Sequence, residues 1–119
     1  MKYPQYRHIT FFYILFITLI SHIPGENLKD SSLSLSNNDK IFHFLEFFIL
    51  GLLVQLSFIE AKTFSNKEIV FMSLISCFII ACLDELHQNF VQGRHPSIDD
   101  LLFDFFGIIT SFVNYKNVY

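Results

Sequence analysis

Residues 41–59 read IFHFLEFFILGLLVQLSFI. This run is long enough by itself to cross a bilayer, which takes roughly 17–25 largely apolar residues in a helix. It lacks the apolar–polar alternation of a transmembrane strand. In hydrocarbon, an open-ended element satisfies its own backbone N–H and C=O groups only as a helix. The reading of this one segment therefore decides the class of the chain: a helical membrane protein.

Three further apolar stretches flank it. They are ITFFYILFITLI at 9–20, running on toward Ile23, IVFMSLISCFIIACL at 69–83, and LLFDFFGIITSFV at 101–113. Each reaches spanning length by drawing on its polar-edged flanks. The expected spans are about 9–23, 41–59, 69–86 and 98–113, in a single domain of residues 1–119. The expected fold class is all-α, an integral membrane four-helix bundle with a polar site at its extracytoplasmic end. The first stretch follows Lys2 and Arg7 as a signal peptide would. The SHIPGEN that comes after it offers no small-x-small cleavage site, so it reads as a retained helix.

Composition agrees. The chain has 119 residues, 52% hydrophobic and only 16% charged, with 16 phenylalanines and a mean hydropathy of +0.44. A soluble domain of this size cannot hide that much apolar surface. Net charge is −3 with no basic stripe, which argues against a nucleic-acid partner. Cys77 and Cys82 lie inside an apolar run and form no CxxC motif, so both read as core or lipid-facing residues.

The connecting segments carry turn and cap signals. Pro24-Gly25 is a helix stop, followed by a polar Ser/Asn-rich loop. Asn38 or Asp39 can cap the second helix, and Ser65 or Asn66 the third, with Glu68 favourable in its first turn. Four spans put both termini on one side. Lys2, Arg7, Lys62, Lys67 and Lys116 fall on that side, against Lys29, Lys40 and Arg94 on the other, a bias that puts the termini in the cytoplasm. The carboxylates are lopsided in the opposite sense, with only Glu60 and Glu68 on the cytoplasmic side.

Three polar sets then converge on the outer end. In DKIFHFLE, residues 39–46, Asp39, His43 and Glu46 are spaced four and three apart and share a helix face. In DELHQ, residues 84–88, Gln88 is a helical neighbour of both Asp84 and Glu85. In GRHPSIDDLLFDFFG, residues 93–107, Asp100, Asp104 and Gly107 share a face, and the glycine permits close helix approach. A mid-helix Asp, Lys or Arg costs about 2.5–3.5 kcal/mol even on the lenient insertion scale. Residues such as His43, Glu46 and Asp104 should therefore face the bundle interior or a watery cavity.

Two readings of this set compete. One is a structural ion-pair and hydrogen-bond network that locks four short helices. The other is a functional site, favoured because so many carboxylates at one end exceed what locking requires. Asp39, His43, Glu46, Asp84 and Glu85 are the candidate acid–base residues. Lys40, Gln88, Arg94, Asp100 and Asp104 are the candidate binding residues. Arg94 either pairs with Asp84, Glu85 or Asp100 or holds an anionic head group. The donor types would suit a divalent cation, yet HExxH and any Cys/His pattern are absent, so no metal and no cofactor is assigned. Ser97 lies nearby without a GxSxG motif. His87 and His95 read as solvated flanking residues.

At these residues the chain resembles the VanZ-like family of small bacterial membrane proteins, over nearly its whole length. SHIPGENL is similar to the family's ending of the first helix, and DKIFHFLEFFILG to its D-K-x-x-H pattern before an aromatic-rich helix. DELHQNFVQGR resembles its D-E-x-x-Q-x-F-x-x-G-R block. The final pattern has Asp six residues after that Arg, then Asn at plus four and Gly at plus seven. Here these are Asp100, Asp104 and Gly107, so Asp104 departs from the family's Asn. An ionised Asp accepts hydrogen bonds and does not donate them. Carried over residue by residue, the resemblance implies a site of Asp39, Lys40, His43, Asp84, Glu85, Gln88, Gly93, Arg94, Asp100, Asp104 and Gly107. Glu46 comes from helical spacing alone.

The resemblance implies a four-helix membrane protein, and its founding member is associated with low-level resistance to the lipoglycopeptide teicoplanin. It brings no settled reaction. The expected partners are membrane lipids and a lipid-linked envelope precursor or a lipoglycopeptide. The leading expectation is an outward-facing site that binds an anionic head group and alters antibiotic susceptibility or envelope homeostasis. The alternative is a membrane enzyme acting on a lipid or lipid-linked precursor through carboxylate and histidine chemistry. A proton-coupled transporter is a third idea, which four short helices would realise only as oligomers.

Overall fold

A computed structural model describes residues 5–21, 38–91 and 98–115. These form four α-helices in chain order: α1 (Tyr6–Ser21), α2 (Asn38–Ala61), α3 (Asn66–Gln88) and α4 (Ile98–Tyr115). No strand occurs among the described residues. Two of the helices, in the stretches Lys40–Ala61 and Asn66–Gln88, are long and apolar enough to cross a membrane. The 16 residues of α1 rise about 24 Å, below the roughly 30 Å of hydrocarbon thickness.

The helix ends follow from local chemistry. α1 starts at Tyr6, three residues before its apolar run, because Glu60 of α2 accepts the Tyr6 backbone N–H at 2.7 Å. That carboxylate satisfies one of the orphan donors of the first turn. α2 ends at Ala61, and Lys62 takes the left-handed conformation (φ 57) that reverses the chain. α3 starts with the expected cap: the Glu68 N–H donates to Ser65 Oγ at 3.3 Å, and the Ser65 N–H donates to Glu68 Oε2 at 2.8 Å. This is a reciprocal capping box. Pro24, Gly25 and the Ser/Asn-rich loop, with the side chains of Asn38 and Asp39, lie outside the described residues.

α2 is the central helix. It packs most extensively against α4 and also contacts α1 and α3, while α1 and α4 do not touch among the described residues. Two glycines bring α2 and α4 together. A Cβ on Gly107 would collide with the Phe44 carbonyl oxygen and sit 3.0 Å from the Phe48 nitrogen. A Cβ on Gly51 would collide with the Ser111 side chain.

The distribution of polarity is inverted relative to a water-soluble bundle. Phe11, Phe12, Phe16, Leu19, Phe71 and Leu83 are exposed, whereas Thr10, Ser21, Gln55, Ser73 and Ser111 are buried. Between the helices, Gln55 Nε2 donates to Ser111 Oγ at 3.0 Å, and Tyr13 Oη donates to the Glu46 carbonyl at 2.7 Å. The hydroxyls of Thr10 and Ser57 lie 2.8 Å apart, both near the Leu53 carbonyl. Apolar outside with small and polar residues inside is the pattern of helices that face lipid. A compact apolar cluster, including Ile17, Phe47, Leu50, Cys77 and Ile108, lies among the four helices.

Candidate functional site

The charged end is built from four helix termini. Ser21 closes α1, His43 lies in the second turn of α2, Asp84, Glu85 and Gln88 close α3, and Asp100 and Asp104 open α4. All seven are buried. The alternating direction of successive helices is what brings these segments of sequence to one place.

His43 and Asp104 form its centre. His43 Nδ1 lies 2.8 Å from Asp104 Oδ1, and Asp104 is fully buried. The close approach of α2 and α4 at Gly107, one turn further along, sets this distance. The Ser21 hydroxyl donates to Asp84 Oδ1 and ties α1 to α3. Glu85 completes the group: a ring nitrogen of His43 and one carboxylate oxygen each from Glu85 and Asp104 lie within 4.8 Å of one another. Asp84 and Asp100 are close enough to act electrostatically on both Glu85 and Asp104. No lysine or arginine is buried among the described residues.

The other expected residues lie around this centre. Lys40 sits at the rim, with Nζ 3.8 Å from Asp99 Oδ2 and 5.7 Å from the centre of the Phe103 ring. Its side chain is 40% exposed. Gln88 is buried one turn beyond Asp84. Glu46 shares a helix face with His43, is half-buried, and acts electrostatically on Tyr13 of α1. His87, in the last turn of α3, is partly buried and not solvated as a loop residue would be. The side chain of Asp39 lies outside the described residues, as do Gly93, Arg94, His95 and Ser97.

Ser21 is the participant that sequence reasoning did not single out. The signal was available: a hydroxyl closing an otherwise apolar stretch needs a partner, and a carboxylate at the end of α3 supplies one. At the opposite end of the bundle a cavity of about 250 Å³ is lined by Gln5, Arg7, Ser57, Glu60 and Ala61.

The arrangement has the parts of an acid–base centre: an imidazole oriented by a carboxylate, with a further carboxylate within reach. No curated protein and no solved structure matches the chain. The sequence model of the VanZ/LLP1 family, in contrast, matches residues 4–119, which include every residue of the acidic cluster. The chain belongs to the VanZ/LLP1 family.

Proposed function

We propose that this chain is a four-span membrane protein with cytoplasmic termini, whose polar end faces outward and performs acid–base chemistry on a lipid or lipid-linked envelope precursor. The observation that carries the reading is the His43–Asp104 pair, 2.8 Å apart and buried beside Glu85. Asp104 orients the imidazole, and His43 takes or delivers the proton of a hydroxyl or water at the substrate's head group. Lys40, half-exposed at the rim, holds the anionic part of that head group, and Arg94 is the second cation assigned to it from the sequence. The exposed apolar flanks of the bundle hold the acyl portion in the bilayer.

A second reading is binding without turnover. The exposure of Lys40 and its long contact with Asp99 favour it, since both leave the ammonium available to an anionic lipid. Such a protein would alter susceptibility to a lipoglycopeptide by occupying or shielding head groups.

Comparative lipid profiling separates the two. Cells expressing wild type, His43→Gln or Asp84→Asn are compared at matched membrane levels. A lipid or precursor that changes only with the wild type supports the enzyme. Identical profiles reject it, and drug susceptibility of Lys40→Ala and Arg94→Ala strains then tests the binding reading.

A further inference from the structure

We propose that His43, Glu85 and Asp104 hold a divalent transition-metal ion, zinc or manganese. The three ligands come one each from α2, α3 and α4, and all three are buried. Their donor atoms lie within 4.8 Å of one another, close enough to share one ion.

The independent observation is Glu85. It is 9% exposed, and both of its carboxylate oxygens are buried without a hydrogen-bond partner among the described residues. Asp104 Oδ2 is likewise buried without one. Buried carboxylates are retained when they are paired, hydrogen-bonded or bound to a metal. No lysine or arginine is buried beside Glu85 among the described residues. A dication placed among the three groups satisfies one carboxylate oxygen each of Glu85 and Asp104 and offsets the local negative charge.

The donor set narrows the ion. Calcium and magnesium take oxygen ligands, whereas an imidazole with two carboxylates suits zinc or manganese. Three protein ligands leave a coordination position open, as in catalytic sites. The inference goes beyond the acid–base reading, because it makes His43 a ligand and gives the site Lewis-acid capacity.

The test uses the full chain purified in detergent, stripped with a chelator and re-exposed to zinc or manganese alone. Bound metal is measured by elemental analysis after gel filtration, and affinity by calorimetric titration. Wild type should retain one ion per chain and gain thermal stability from it. Glu85→Gln, which preserves shape, should weaken binding by about tenfold or more. Asp99→Asn, on a side chain 68% exposed and outside the three ligands, should bind as wild type. Folded wild-type protein that retains neither ion overturns the proposal, as does Glu85→Gln binding with wild-type affinity. No lipid is present in this measurement, so a negative result leaves the acid–base reading intact. Unchanged lipid profiles, conversely, leave the metal centre standing.

Discussion

His43 Nδ1 and Asp104 Oδ1 lie 2.8 Å apart on two different helices, and each residue is the other's partner in an interior without a buried lysine or arginine among the described residues. The two sides of the pair are not equivalent on removal. His43→Ala strands a fully buried carboxylate and should cost about 3–5 kcal/mol. Asp104→Asn retains an amide that can still meet the ring nitrogen, and should cost about 1 kcal/mol. Thermal unfolding of the purified variants in one detergent compares them. Equal losses would mean that the Asp104 charge is not what His43 serves.

The two glycines of the α2–α4 contact differ in what they face, and so should respond differently to repair. Gly107 faces backbone, at Phe44 and Phe48, which no second substitution can remove. Gly107→Ala should push the helices apart, cost roughly 1–3 kcal/mol and lengthen the His43–Asp104 contact. Gly51 faces the side chain of Ser111. Gly51→Ala should be destabilising alone and largely rescued by Ser111→Gly, although that exchange also removes the Gln55–Ser111 hydrogen bond. Thermal stabilities of the single and double variants decide this. A Gly107→Ala protein as stable as wild type would mean that the helices separate freely there.

Much of the fold was legible because apolar runs and caps are local signals. The stretch at 41–59 announced α2, and the cap signal at Ser65 or Asn66 marked the start of α3 within a residue. The start of α1 was not legible, because the Glu60 carboxylate that caps Tyr6 is 54 residues away in sequence. The same distinction runs through the site. Spacing on one helix gathered His43, Asp84, Glu85, Asp100 and Asp104 as candidates. It also placed Glu46 with them, one turn from His43 on α2. The grouping of His43, Glu85 and Asp104 has no motif because each helix contributes a single donor. Contacts of that kind depend on how helices dock, and no window of sequence contains them.

The direction in which the chain crosses the bilayer decides what the acidic end can meet. Cysteine labelling reads it directly. Thr63 lies in the exposed turn between α2 and α3, and Phe90 is 88% exposed just beyond the end of α3. Cys77→Ala and Cys82→Ala provide a background without native thiols. In that background, a membrane-impermeant maleimide applied to intact cells should modify Phe90→Cys and spare Thr63→Cys until the membrane is opened. The positive charges at Lys62 and Lys67 flank the turn expected to stay inside. The reverse pattern would turn the His43–Asp104 centre toward the cytoplasm, and only precursors on the inner leaflet would then reach it. Labelling of both positions in intact cells would mean that α3 does not cross the membrane, which removes the bilayer from the explanation of the inverted polarity.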